Sequence, residues 1–204
     1  KGLSLSDDAL HAAFIEGESL MLANLKVETK AVVKVSPDAN QPMVRPRRAG
    51  ILYRRGNESL WLASFDGSEH RRLKTVGDSL GMAQWSPDGR TLIYLAGREM
   101  REHTPDTNTD VLITKSTPLA SFGRNADASV FLGASSSKAS PYLVLLLRVT
   151  HREFALCEHR ASDPTTVNPI FSPSSQRIYF QSDREGTMAI YSMAVDKLVE
   201  KTET

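Results

Sequence analysis

The ten residues Trp85-Ser-Pro-Asp-Gly-Arg-Thr-Leu-Ile-Tyr94 constrain the fold of this chain more than any other feature, because they recur. An apolar residue leads into a polar turn, and a β-branched or aromatic run follows. Phe171-Ser-Pro-Ser-Ser-Gln-Arg-Ile-Tyr-Phe180 repeats the ten columns without a gap, and Leu5-Ser-Asp-Asp-Ala-Leu-His-Ala-Ala-Phe14 is a third copy. Weaker copies are Val44-Arg-Pro-Arg-Arg-Ala-Gly-Ile-Leu-Tyr53 and Phe122-Gly-Arg-Asn-Ala-Asp-Ala-Ser-Val-Phe131. The starts at 5, 44, 85, 122 and 171 are 39, 41, 37 and 49 residues apart. That period belongs to four-stranded propeller blades and also to helical HEAT and armadillo repeats. Local chemistry separates the two. In Ser-Pro-Asp-Gly the proline presets φ at the second turn position and the glycine accepts a positive φ. The run that follows is β-forming, and no long capped stretch at helical spacing occurs. The expectation is an all-β chain, a β-propeller of four-stranded antiparallel blades with about five repeats in residues 1–204.

Each repeat offers further short strands. They are expected at 11–16, 19–24 and 31–35 in the first copy, and at 51–54, 59–64 and 71–74 in the second, where Phe65-Asp-Gly-Ser68 reads as a hairpin turn. The fourth has 129–133, 142–150 and 153–159; the fifth has 178–182, 189–194 and a closing 197–200. The segments ahead of each motif, 81–85 and 167–171, are expected to be innermost strands. Residues 97–110 are polar and read as a long loop, a class of segment that often carries function. Residues 133–141 read as a flexible connection. A propeller covers both faces of every blade, so the end blades need partners. Either five compact blades close on themselves, or residues 1–204 are part of a six- or seven-bladed ring; the second reading is favoured.

Charge narrows the partners. The 25 Lys+Arg and 24 Asp+Glu leave a net charge of +1, no overall field for nucleic acid or an anionic membrane. Arg45, Arg47, Arg48, Arg54 and Arg55 form only a local basic cluster. The longest fully apolar run is 143–147, well below the roughly 18 residues of a membrane span. Neither nucleic acid nor membrane is expected as a partner. At 40% hydrophobic residues the chain is not disordered, and a single Cys157 makes no internal disulfide.

The Trp-Ser-Pro-Asp-Gly-Arg-x-Leu-Ile-Tyr motif resembles the TolB-like propeller repeat, which specifies a fold and little else. The C-terminal run is more particular. Leu156-Cys-Glu-His159, Asn168-Pro-Ile-Phe-Ser-Pro173, Arg177-Ile-Tyr-Phe-Gln-Ser-Asp-Arg-Glu-Gly186 and Ala189-Ile-Tyr191 are similar to the closing blades of oligogalacturonate lyases, over residues 120–200. The resemblance implies a seven-bladed bacterial propeller with Mn²⁺ in a central pocket, cleaving short pectin fragments by β-elimination. In such chemistry a divalent cation neutralises the uronate carboxylate and acidifies the proton α to it, and a base removes that proton. Several of the family's ligands precede the last Phe-Ser-Pro motif, as a Gln followed by two His flanking a Pro. Those columns hold Asp163, Thr166 and Asn168 here, while Pro169 and Phe171 are kept. Threonine is a poor ligand, asparagine a weak one, and Asp163 alone would not hold Mn²⁺ tightly. The resemblance therefore implies Mn²⁺, but the ligand set is not intact and no metal ligand or cofactor is expected. No signal-peptide pattern opens the chain, and its compartment stays open between bacterial cytoplasm and periplasm.

Of the five histidines no pair shows zinc spacing. His11 and His70 are expected to face solvent, and His103, with Asp106 and Asp110, to lie on a solvated loop. His159, with Glu158, Arg160 and Asp163, lies just before an innermost strand, where a propeller gathers its central ligands; it is either a structural hydrogen-bonding residue or part of a site. Arg152 and Arg160 suit bidentate capture of a carboxylate. The candidate substrate-binding set is Arg152, His159, Arg160 and Asp163, with no catalytic residue assigned. Cys157, beside Ala155 and Leu156, reads as a buried thiol. Ser162, His159 and Asp163 have the residue types of a triad, but they lie within five residues and lack a nucleophile elbow. Trp85 and Phe171 read as core, and Trp61 is ambiguous. Two functions are carried forward. One is an oligogalacturonate-lyase-like propeller acting on pectin-derived oligouronates by metal-assisted β-elimination with an altered site. The other is a non-catalytic TolB-like scaffold that binds a protein or glycan partner on its end faces.

Overall fold

The computed structural model describes residues 2–6, 8–77 and 79–195. Among the described residues nineteen strands form five sheets, each an antiparallel meander whose neighbours follow chain order. Sheet 1 holds β1 (Leu3–Leu5), β2 (His11–Glu16), β3 (Ser19–Asn24) and β4 (Thr29–Lys34). Sheet 2 holds β5 (Ala39–Val44), β6 (Gly50–Arg55), β7 (Ser59–Ser64) and β8 (His70–Arg72). Sheet 3 holds β9 (Leu80–Trp85), β10 (Leu92–Ala96), β11 (Glu99–Thr104) and β12 (Thr109–Lys115). Sheet 4 holds β13 (Leu119–Arg124), β14 (Val130–Ser135), β15 (Tyr142–Leu147) and β16 (Glu153–Glu158). Sheet 5 has three described strands, β17 (Ile170–Phe171), β18 (Arg177–Ser182) and β19 (Ala189–Ala194), and the strand expected at 197–200 lies outside the described residues.

The recurring motif is explained by the turn between the first and second strand of each sheet. Ser86 N–H donates to the Thr91 carbonyl at 2.8 Å, and Thr91 N–H donates back to Ser86 Oγ at 2.9 Å. Ser86 Oγ in turn donates to Asp88 Oδ1 at 2.7 Å, which also accepts from Arg90 N–H. Ser6 with His11 and Ser172 with Arg177 repeat the same two-bond exchange. The fourth position of the turn is left-handed, with φ of 65° at Gly89, 55° at Ala9, 58° at Ala128 and 58° at Ser175. In sheet 4 the equivalent residue is Asn125, whose N–H donates to the Val130 carbonyl and whose Oδ1 accepts from Val130 N–H. The fourth repeat therefore starts at 124, two residues later than expected. Asn125 makes with its amide oxygen the bond that serine makes elsewhere, which hid the register.

A second correction concerns residues 97–110. They are not a loop but most of the β11–β12 hairpin, closed by the short turn 105–108. Met100 and His103 are the fully buried residues of β11 and, three apart, lie on its opposite faces. A histidine at a core position disguised the strand's alternation.

Side chains alternate between faces, so each sheet offers apolar residues on both sides. Ala13, Ile15, Leu20 and Leu22 of sheet 1 pack with Val44, Ile51 and Tyr53 of sheet 2. Leu52, Leu60 and Leu62 pack with Trp85, Leu92 and Tyr94 of sheet 3. Leu132, Ala134 and Leu143 of sheet 4 pack with Ile178 and Phe180 of sheet 5. Every residue of β14 is buried, the pattern of a strand covered on both faces. Some approaches admit only glycine: a Cβ on Gly89 would lie 2.0 Å from the Pro46 carbonyl oxygen, and one on Gly123 would lie 2.3 Å from that of Pro169. The chain divides into two compact units, residues 1–96 with 101–111, and residues 97–100 with 112–204.

Candidate functional site

Three of the four candidate residues, His159, Arg160 and Asp163, lie where β16 gives way to β17, in the second unit. His159 follows β16 directly and is fully buried. Its main-chain N–H donates to the Pro141 carbonyl at 2.7 Å, anchoring the strand end to the 136–141 connection. Nε2 lies 3.1 Å from the Ser135 carbonyl oxygen, and Nδ1 accepts from Ala161 N–H at 3.1 Å. Only the neutral tautomer protonated at Nε2 satisfies both partners. The His159 carbonyl accepts from Ser182 Oγ at 2.6 Å and from Arg184 Nη2 at 3.2 Å. Burial holds the imidazole below its ordinary range. The ring spends both nitrogens on backbone groups and holds the following loop.

Arg160, in the left-handed region at φ 51°, is exposed, and its Nε is held by Glu158 Oε2 at 2.6 Å. Asp163 caps a single 3₁₀ turn, Pro164–Thr166, accepting from Thr165 N–H at 2.9 Å and Thr165 Oγ1 at 2.7 Å. Those bonds, the hydroxyl's foremost, keep its carboxyl below the ordinary carboxylate range. Asp183 holds the loop from β18's side by accepting from Ser162 N–H at 2.8 Å and from Ser162 Oγ. Arg184 reaches the Glu158 carbonyl at 2.7 Å while its guanidinium lies over Tyr191, 4.5 Å from the ring centroid.

Arg152 is not brought to this loop. It precedes β16 and Arg160 follows it, so six residues of extended strand, about 20 Å, separate them along the chain direction. The carboxylate clamp by both arginines is therefore dismantled by the strand itself. Cys157, on β16, is half-buried, and burial pushes its thiol up.

The columns that the sequence resemblance assigns to metal ligands are turned inward on the main chain. Asp163 is occupied by Thr165, Thr166 Oγ1 donates to the Asp163 carbonyl at 2.8 Å, and Asn168 Nδ2 donates to the Thr166 carbonyl at 3.3 Å. Among the described residues no group of three or more His, Cys, Asp or Glu side chains could hold a metal ion. These residues do not fit Mn²⁺.

The remaining sequence candidates separate. His103 is interior, not solvated: its Nδ1 lies 3.5 Å from Asp110 Oδ2, and burial holds its ring below the ordinary range. Asp110 also accepts from Tyr94 Oη at 2.6 Å and Arg101 Nε at 2.6 Å, a network that no sequence motif announced. Asp106 pairs instead with Arg45 at 2.9 Å and Arg48 at 2.6 Å. The basic cluster dissolves into structural roles: Arg45 is buried and donates to the Gly89 carbonyl, Arg54 is buried on the Leu80 and Gly81 carbonyls, and Arg55 lies over Trp61. His11 is half-buried against Phe65 rather than facing solvent, whereas His70 is exposed. Trp85 is core, as expected.

Comparison with known proteins adds the wider frame. No family model matches the chain. An oligogalacturonide lyase of Pectobacterium atrosepticum and an oligogalacturonate lyase of Dickeya dadantii are each 24% identical over 161 residues, covering 65% of this chain and 42% of the relative. The chain thus spans about two fifths of the length of those curated relatives. Among solved structures, an oligogalacturonate lyase in complex with manganese superposes with a TM-score of 0.83 at 21% identity, covering 95% of this chain and 64% of that one. The fold is a β-propeller fold. TolB from Acinetobacter baumannii superposes at a TM-score of 0.70 and 18% identity, over 96% of this chain and 52% of that one. The resemblance to oligogalacturonate lyases, read from residues, is found again in sequence and in structure, and that to TolB in structure.

Proposed function

We propose that residues 1–204 belong to an oligogalacturonate-lyase-like propeller that binds oligouronate-type glycans at the β16–β17 loop without metal-assisted elimination. The observation that carries this reading is the loop's own chemistry. It presents Arg160, 67% exposed at its side chain and aligned by Glu158, while Asp163, Thr166 and Asn168 are committed to the backbone. A guanidinium fork matches a uronate carboxylate. Asp163, ionised at neutral pH, takes both Thr165 bonds on Oδ1, and its Oδ2 suits acceptance of sugar hydroxyl protons. His159 holds the loop in place from below and does not touch the ligand. The test is calorimetric titration of unsaturated digalacturonate with and without Mn²⁺, beside a lyase assay that follows loss of the substrate's ultraviolet absorbance. Binding that is indifferent to Mn²⁺, with no turnover, is expected. Mn²⁺-dependent turnover would overturn the reading.

Exposed apolar residues mark the first and the last described sheets. In sheet 1 Leu3, Leu5 and Val32 are 70%, 54% and 58% exposed, and in sheet 5 Ile170 and Ile190 are 54% and 74% exposed. The propeller fold covers such faces with a neighbouring blade, which supports reading the five sheets as part of a larger ring.

A further inference from the structure

We infer that His159 is a proton-sensitive latch: its neutral ring fastens the 160–169 loop by accepting the Ala161 amide proton, and protonation releases that loop. The two ring nitrogens respond differently to a proton. Nε2 donates to the Ser135 carbonyl at 3.1 Å, a bond that either charge state makes. Nδ1 accepts from Ala161 N–H at 3.1 Å, a bond that only the neutral ring makes. A proton on Nδ1 sets one donor against another within a fully buried site, and the Ala161 amide loses its acceptor.

The surroundings do not welcome the charge. The Arg184 guanidinium, which bonds the His159 and Glu158 carbonyls, opposes a second cation. On β16 the neighbouring Glu158 carboxylate is engaged by Arg160, and the Cys157 thiol is neutral. From the loop and from β18's end, Asp163 is engaged by Thr165 and Asp183 by Ser162. Lys138, on the 136–141 connection, acts on Asp163. The charge from among these groups that acts on the ring is Arg184's, and burial adds to it.

What the latch controls is local. Arg160, Ala161 and Ser162 open the segment that also carries Asp163, Thr166 and Asn168, and its far end is held by Gln181 N–H on the Val167 carbonyl at 2.9 Å. Freed at Ala161, the segment keeps its anchors at Asp183 and Val167 and gains freedom at Arg160 between them and β16. The consequence for ligand capture rests on the function proposed above; the release itself does not.

Nitrogen-resolved spectra of the isotope-labelled chain, titrated from pH 7.5 to 4.5, test it. The His159 ring is expected to show the Nε2-protonated tautomer at pH 7.5 and to titrate below its ordinary value. Ala161 amide protection should fall with the same midpoint, about tenfold by one pH unit beneath it, while β18 amides stay protected. His159→Asn supplies a non-titrating acceptor in Nδ1's place, and there the Ala161 amide should stay protected over the same range. Ala161 protection that persists while the ring titrates, or down to global unfolding, overturns the latch, as does an unchanged release in His159→Asn. Should the variant fail to fold, the titration of the unmodified chain decides alone. Release on schedule with no digalacturonate binding at any pH would leave the latch standing and remove only the proposed ligand.

Discussion

The Tyr94 hydroxyl donates to Asp110 Oδ2 at 2.6 Å and accepts from Val76 N–H at 2.8 Å, so one phenol joins β10, β12 and the chain leading into β9. Burial and the Asp110 carboxylate push this phenol's ionisation up, so it remains a donor. Tyr94→Phe strips a buried carboxylate of one donor and an amide of its acceptor, and should cost about 1–3 kcal/mol. In Tyr53→Phe the lost partner is the exposed His70, at 2.6 Å, and the cost should be smaller. Urea unfolding of both variants checks the order.

The left-handed turn residues make an opposite pair of predictions. Ala128 and Ser175 hold φ of 58° without being glycine. Ala128→Gly should stabilise by roughly 0.5–1 kcal/mol, as relief of side-chain crowding outweighs the freer unfolded chain. Gly89→Ala should destabilise strongly, because its Cβ would meet the Pro46 carbonyl oxygen at 2.0 Å. Thermal midpoints of the two variants should move apart.

Acid should weaken the fold through its buried histidines before the carboxylates respond. His103 and His159 are both held below the ordinary value of 6.5, first by burial. Below that value the unfolded chain binds protons that the folded chain refuses. Their contribution is fully present above about pH 6.5 and is lost as pH falls through the lowered values. Asp66, held at about 2 by the Ser64 hydroxyl first, loses its share only between its ordinary value of 3.8 and there. His103→Leu should therefore narrow the difference in unfolding midpoint between pH 7.5 and 5.5. An unchanged difference would assign the acid response elsewhere.

Arg160→Ala should weaken digalacturonate binding by about tenfold or more, the loss of a charge-assisted pair, with no change in thermal midpoint. Mn²⁺ at millimolar concentration should leave that midpoint unmoved in the unaltered chain. A metal-dependent rise would show a ligand set other than the loop columns.

Legibility followed how locally each feature is encoded. Trp85-Ser-Pro-Asp-Gly states its turn within five residues, and the strands around it were readable to within a residue or two. Asn125 broke the register because it makes the serine's bond with a different group. His103 and Met100 concealed β11 because one interior position is polar there, and the partner of His103, Asp110, lies seven residues ahead on the next strand. At the site, Arg160 and Asp163 share a loop as their spacing suggested. That His159 faces the Ser135 carbonyl, 24 residues earlier, and that Arg152 sits across the length of β16 are set by tertiary pairing, which no local spacing encodes.

The turns that bind Ser86 to Thr91 and Ser172 to Arg177 are closed within five residues, and every described pairing joins strands adjacent in the chain. Loop-closure entropy is therefore small for each sheet's own pairing, and its apolar faces are covered as the next sheet packs on it. Such a chain can assemble in the order of its synthesis, one meander at a time. The unit that folds is also the unit that duplication can add or deletion can remove.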